Sequence, residues 1–330
     1  MKKICIYGLG AIGGLIGARL ASAGYAVSAI ARGQTLEAVS RDGLVLSEAG
    51  STTRVTINVS DDPKALGAQD LLILSVKTAA LPAIAKHIRP LIDENTTVLS
   101  AMNGIPWWFF YGLESAPQPL SLDSVDPGGV LSTAIPVARV LGCVTHLSAS
   151  VTAPGCVNHV AGNRLIVGEP FGGEASVRAE TVIDMLRQAN FDVDSTTSIQ
   201  REIWFKLWGN MTVNPVSFLT SATGDRILDD EFVRDFMSRC MQEAGNIGER
   251  IGLPIDLDPE ERHALTRKLG AFKTSMLQDL EASKPVELDA LVGVVIEVGR
   301  QVGVATTNLE ALFGLSRLKA KSLRLYPEIH

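Results

Sequence analysis

Residues 206 to 215 read KLWGNMTVNP, and Lys206, Asn210 and Asn214 recur there at every fourth position. On an α-helix, each such step advances the side chain by about 40° around the axis, so the three form one polar row. Trp204, Leu207, Trp208, Met211 and Val213 surround the row and predict a helix buried on most of its sides. One reading is a solvated face with two asparagines. The other is a buried line of one ammonium and two carboxamides, which needs hydrogen-bonding partners that a ligand can supply. The remainder of the chain has to say which ligand.

The first forty residues suggest one. KKICIYG reads as a strand, GLGAIGG as a turn, LIGARLASAG as a helix ending at Gly24, and YAVSAIAR as a second strand. Gly8, Gly10 and Gly13 stand in G-x-G-x-x-G register within this βαβ context, with Leu9, Ala11 and Ile12 between them. Gly8 permits the tight turn, Gly10 lets a pyrophosphate approach the backbone, and Gly13 lets the helix pack on the strand. The phosphates then sit among the free N–H groups of the helix N-terminus. An NAD site places an acid about 20 residues further on, for the ribose 2′-hydroxyl. This chain offers Ala31, Arg32, Gly33 and Gln34 there, and a guanidinium suits a 2′-phosphate. The expected cofactor is therefore NADP(H).

Two later apolar runs, DLLILSVKT (70 to 78) and TTVLSAMNG (96 to 104), read as buried parallel strands. They end in Lys77 and Asn103, and in open α/β sheets ligands bind beyond the carboxyl ends of strands. Taken singly, these are a helix-start charge and a turn former; together they point to a cofactor or substrate cleft. From 105 to 129 the chain turns irregular, with aromatic residues at all positions from 107 to 111. A lid or substrate wall and a subunit contact are both open for it. Strand signals return from VLGCVTHLSASV to NRLIVGE, a helix is expected over 175 to 190, and FDVDST closes the first domain. Beyond 196 helices dominate: through the opening row, from 229 to 251, around 259 to 280 and from 285 to 302. The expected fold is α/β: a Rossmann-type dinucleotide-binding domain over 1–195 and an all-helical domain over 196–330.

The 330 residues suit two domains of about 150 each. A net charge of −6 gives no footprint for nucleic acid or an anionic membrane. The basic cluster RLKAKSLR (317 to 324) reads as cations at the end of a last helix. Cys5, Cys143, Cys156 and Cys240 have neither C-x-x-C nor zinc-ligand spacing, so they read as small buried residues in a reducing compartment, and no metal is expected. His146 and His159 read as structural. The glycine turn accounts for an opening that superficially resembles a signal peptide, and no run reaches the ~18 apolar residues of a membrane span. A cytoplasmic location is expected.

The order of G-x-G-x-x-G, Arg32, VKT, NG, K-x-x-x-N-x-x-x-N-P, SMLQD and PVELD resembles the ketopantoate reductase (2-dehydropantoate 2-reductase) family from residue 2 to about 310. The resemblance implies NADPH-dependent reduction of a 2-keto acid to a 2-hydroxy acid, most directly 2-dehydropantoate to pantoate, and often a homodimer. By motif it implies that Lys206 is the proton donor and Glu287 an active-site glutamate. Asn210, Asn214 and Ser275 would bind substrate, and Lys77 and Asn103 would lie at the cofactor and substrate. The chemistry agrees: hydride addition builds charge on a ketone oxygen, which an ammonium stabilises and then protonates. Glu287 also reads as an acid complementing a helix dipole just after Pro285.

Two departures affect substrate identity more than reaction class. Gly224 stands where the family often has a further asparagine, and the insertion after Asn103 is long. Rival readings are a reductase of another 2-keto acid, a 3-hydroxy acid dehydrogenase and a non-catalytic NADPH-binding sensor.

Overall fold

Short β-branched and leucine-rich runs separated by glycine turns build a sheet in the first part of the chain. The computed structural model describes residues 1–113, 116 and 122–326. Strands β1 (Ile4–Tyr7), β2 (Val27–Ile30), β3 (Leu44–Glu48), β4 (Ser51–Val55) and β5 (Asn58–Ser60) come first. They are followed by β6 (Leu71–Leu74), β7 (Thr97–Ser100), β8 (Val140–Ala153), β9 (Cys156–Gly168) and β10 (Asp192–Ser195). Between them lie helices α1 (Ala11–Ser22), α2 (Gly33–Asp42), the short α3 (Pro63–Leu66), α4 (Leu81–Ala85) and α5 (Val130–Ala134), and α6 (Val177–Gln188).

Strands β5, β2, β1, β6, β7 and β8 lie side by side in that order, every pair parallel. The order reverses at β1, the switch point beyond whose carboxyl end a dinucleotide binds in such sheets. Every residue of β1, β6 and β7 is buried, which is why these strands read as unbroken apolar runs rather than alternating ones. Leu15, Ile16 and Leu20 of α1 join the same core. The sheet continues past β8 through an antiparallel hairpin with β9, which pairs in parallel with both β3 and β10.

Arg19 of α1 ties the helix to this extension. Its guanidinium donates to Glu48 Oε2 at 2.7 Å and to Asn163 Oδ1 at 2.6 Å, and it stacks on the Phe191 ring at 4.6 Å. His159 belongs to the same cluster, with Nε2 2.6 Å from the Gly162 carbonyl, so its role here is structural. None of the four cysteines forms a disulfide; Cys5 and Cys240 are buried, and burial pushes both thiols up to about 12.

Sheet and helices divide into two compact units. The first comprises Met1–Met102 and Gly129–Ile199; the second comprises the described parts of 103–128 and 200–330. The described parts of 103–128 thus pack with the helices, although a single cut at residue 195 would leave them with the sheet. The second unit holds α7 (Ile199–Thr220), α8 (Gly224–Asp229), α9 (Glu231–Arg250), α10 (Pro259–Arg267) and α11 (Ser275–Glu281). A π-helical turn, Asp289–Gly293, runs into α12 (Val294–Val302), and α13 (Thr307–Ser322) follows. The single helix expected around 259 to 280 is two helices, because Gly270 takes a left-handed φ of +67° between them. The helix expected from Pro285 begins only at residue 288.

The aromatic segment after Asn103 is buried for most of its described length. Trp107, Trp108, Phe109 and Phe110 are buried in the second unit, Phe109 edge-on to Phe110 at 5.2 Å and 6.2 Å from the Trp204 ring. Tyr111 alone of the five is exposed. Positions 114, 115 and 117 to 121 of the irregular stretch lie outside the described residues.

Gly13 shows how tightly the turn is built: a Cβ there would lie 2.1 Å from both the Gly8 carbonyl oxygen and Ser75 Oγ. At Gly10 a Cβ would meet nothing within 4 Å. Gly13→Ala is therefore expected to lose about 1–3 kcal/mol in urea unfolding, and Gly10→Ala to lose less. Equal losses would show that the close packing at Gly13 does not hold the turn.

Candidate active site

Helix α7 carries the polar row, and its flanks are as apolar as its sequence suggests. Trp204, Leu207, Trp208, Met211 and Val213 are all buried. The helix runs on through Pro215 to Thr220 although proline removes one backbone donor. Its last carbonyls, of Phe218 and Leu219, accept from Lys319 Nζ at 2.5 and 2.9 Å. Part of the basic C-terminal cluster thus serves the end of α7, where a cation complements the helix dipole. Desolvation pushes the Lys319 amine's pKa down.

The head of the row is held by Asn103. Lys206, half-buried, donates from Nζ to Asn103 Oδ1 at 2.8 Å. Asn103 is fixed in turn by its neighbours. Gly104 adopts φ +80°, and a Cβ on it would lie 2.3 Å from the Ala290 carbonyl oxygen. That carbonyl also accepts the Ile105 N–H at 3.2 Å. The NG dipeptide is thus a left-handed turn pressed against the π-helical segment, and glycine is what allows the approach.

At the foot of the row Asn214 is 5% exposed, and its Nδ2 donates to Ser275 Oγ at a long 3.4 Å. Ser275 is the first residue of α11, placed by Thr274 at the N-cap, which accepts the Leu277 N–H at 3.1 Å. Thr274 also hydrogen-bonds Ser217 Oγ, and that hydroxyl bonds back to the Asn214 carbonyl at 3.0 Å. Asn210 lies half-buried one turn on from Lys206. Glu287 is half-buried immediately before the helix start at 288, so it stands on the threshold of the first turn rather than within it. Lys206, Asn103, Asn214 and Ser275 are therefore joined by hydrogen bonds in two pairs within one unit.

Gly224 has a structural reason. Its N–H donates to the Phe272 carbonyl at 3.0 Å, and a Cβ at 224 would lie 2.1 Å from Phe272 Cε1. With Phe272 in place no asparagine fits there.

The sheet unit holds the second group of candidates. Gly8 has φ +98°, and Ser75 Oγ donates to its carbonyl at 2.9 Å, pinning the turn. Ser75 is a site residue that the strand reading passed over; one hydroxyl inside LLILSVK was its only signal. Gly10 caps α1, whose first turn carries no acidic residue. Leu9 is buried, while Ala11 and Ile12 are half-buried at the helix start. Open space at Gly10 together with free N–H groups at the start of α1 fits the pyrophosphate of a dinucleotide. Arg32 caps α2, is exposed and is paired with no carboxylate among the described residues. Its positive charge partly offsets the upward push that burial gives the Tyr7 phenol, which places it near the end of β1. Lys77 is half-buried three residues past β6.

Comparison with known proteins decides the family. Residues 4–171 match ketopantoate reductase PanE/ApbA, and residues 198–320 match its C-terminal domain. The chain belongs to the ketopantoate reductase family. A 2-dehydropantoate 2-reductase of Mesorhizobium japonicum is 40% identical over 96% of this chain and 97% of its own length. The crystal structure of a putative ketopantoate reductase from Ralstonia solanacearum MolK2 is similar at TM-score 0.94 and 49% identity, covering 99% of this chain and 100% of that one. D-mandelate dehydrogenase, solved with NADH and anilino(oxo)acetate, shares the fold at TM-score 0.85 and 21% identity, covering 98% of this chain and 99% of that one. As a ketopantoate reductase family member the chain is an oxidoreductase built from a Rossmann-like sheet unit and a helical C-terminal unit. No helix among the described residues is long and apolar enough to cross a membrane.

Gly104→Ala tests the clamp on Asn103. It is expected to reduce turnover while the variant is still folded, and to cost about 1–3 kcal/mol in unfolding. Wild-type turnover in a folded variant would show that the Lys206–Asn103 pair is dispensable.

Proposed function

We propose that the protein reduces 2-dehydropantoate to pantoate with NADPH. The observation that carries this reading is the 2.8 Å hydrogen bond from Lys206 to Asn103 at the head of a row ending in Asn214 and Ser275. The family membership and the 40% identity to a 2-dehydropantoate 2-reductase support the substrate.

When bound, the nicotinamide supplies the hydride for the keto carbon. Lys206 faces the developing alkoxide, stabilises it as an ammonium and then gives it a proton. Asn103 accepts from the amine and so fixes its direction. Asn210, Asn214 and Ser275 orient the acid through their amides and hydroxyl. Glu287, immediately before the helix start at 288, supplies a carboxylate to the site. In the sheet unit, Gly8 to Gly13 cradle the pyrophosphate, Lys77 attends the cofactor, and Arg32 reads the 2′-phosphate that distinguishes NADPH from NADH. The enzyme works in the cytoplasm, as a homodimer, within pantothenate biosynthesis.

A second reading rests on the Phe272 ring at Gly224: a 2-keto acid with a more apolar tail than 2-dehydropantoate. An aromatic ring there cannot replace the hydrogen bonds of an asparagine.

Lys206→Ala is expected to lower kcat by about 10²–10⁴-fold with NADPH affinity unchanged in fluorescence titration. Unaltered kcat would remove the proton-donor role. Arg32→Ala is expected to weaken NADPH by about 10- to 100-fold and NADH hardly at all. Parallel losses would mean that Arg32 does not touch the 2′-phosphate.

A further inference from the structure

The stretch around Glu287 is held by residues that follow the last helix. Val286, Leu288 and Ala290 are buried, and Glu287 and Asp289 between them are half-buried. The Val286 N–H donates to the Leu325 carbonyl at 2.9 Å. The next residue, Tyr326, donates from its hydroxyl to Asp289 Oδ1 at 2.8 Å. Glu287 thus lies between two bonds to consecutive residues just past α13. Leu325 is itself buried, and its N–H donates to the Ala320 carbonyl at 2.7 Å. Lys321 Nζ lies 5.5 Å from the centroid of the Tyr326 ring. These contacts fix the two residues to the end of α13.

Asp289 opens the π-helical turn, a geometry that is rare and recurs at functional sites. An acid at a helix start can complement the dipole from an exposed position, whereas a half-buried one needs a donor. Burial pushes the Asp289 carboxyl up, and the Tyr326 hydroxyl, Arg317 and Lys321 pull it back down. The residue after it is Ala290, whose carbonyl meets Gly104 and Ile105 and so seats Asn103, the acceptor for Lys206. The Tyr326 hydroxyl is therefore linked to the lysine amine by an unbroken series of contacts within the helical unit.

We propose that Tyr326 and Asp289 are positioning residues for the reductase: their hydrogen bond fixes the π-helical turn, which holds Asn103 against Lys206. The inference rests on the proton-donor reading of Lys206. Without the hydroxyl a half-buried carboxylate loses its donor, the turn shifts, and the amine loses the direction that Asn103 gives it.

The test measures kcat on a 2-keto acid, NADPH affinity and melting temperature in a set of variants. Tyr326→Phe keeps the ring and removes only the hydroxyl. Its kcat is expected to fall about 3- to 30-fold while NADPH affinity stays within about twofold of wild type. Asp289→Asn keeps an oxygen acceptor for the hydroxyl and is expected to hold kcat within about threefold, whereas Asp289→Leu is expected to lose at least as much as Tyr326→Phe. The deciding readout is a double variant. Asn103→Ala lowers kcat by itself, and adding Tyr326→Phe to it is expected to change kcat by less than about twofold, because the link is already cut. Fully additive losses, equal kcat in Asp289→Asn and Asp289→Leu, or wild-type kcat in folded Tyr326→Phe each overturn the positioning role and leave the reductase reading standing. Wild-type kcat in Lys206→Ala overturns the proton-donor reading on which it rests.

Discussion

The hydrogen bond from Lys206 to Asn103 is the interaction on which the rest of the site depends. An ammonium half-buried beside tryptophans and leucines is stabilised by an acceptor of fixed geometry. Asn103 provides that acceptor only because Gly104 can turn left-handed against the Ala290 carbonyl. The same π-helical segment carries Glu287 just ahead of it. At the other end of the row, Ser217 and Thr274 hold the start of α11 so that Ser275 meets Asn214. Each polar group is thus positioned by a backbone feature, a left-handed turn or a helix cap, rather than by its own flexibility.

Much of this was legible in the sequence because it is local. The G-x-G-x-x-G turn, the absence of an acid after β2, and the four-residue spacing of Lys206, Asn210 and Asn214 all lie within short windows. Chain geometry alone gives them meaning. The apolar strands β6 and β7 were readable for the same reason, though each is shorter than its run. What the sequence did not display is long-range. The described parts of 103–128 pack with helices about a hundred positions later, and Trp107, Trp108, Phe109 and Phe110 are buried in that core. No local pattern distinguishes such a segment from a lid. The break at Gly270 and the late start of the helix after Pro285 come from the packing of 272 on 224 and of 290 on 104 and 105. Ser75 gave no periodic signal at all, since its hydroxyl meets the glycine turn from a strand far along the chain.

Those glycines link fold and chemistry. Gly13 lets α1 approach β1, Gly104 seats Asn103, Gly209 admits Arg262, and Gly224 yields its space to Phe272. In each case a missing side chain is filled by a specific neighbour. The fold is shared with a D-mandelate dehydrogenase, so reaction class and substrate cannot be read from the architecture alone. They depend on what fills such spaces. At 224 an aromatic ring fills the space that a side chain would take.

The most direct measurement is NADPH oxidation by the purified wild-type protein with 2-dehydropantoate beside a panel of smaller, branched and aromatic 2-keto acids and 3-hydroxy acids. The account predicts turnover of 2-keto acids, with the highest kcat/KM on 2-dehydropantoate, and none of the 3-hydroxy acids with NADP. Binding of NADPH without turnover of any 2-keto acid would contradict it.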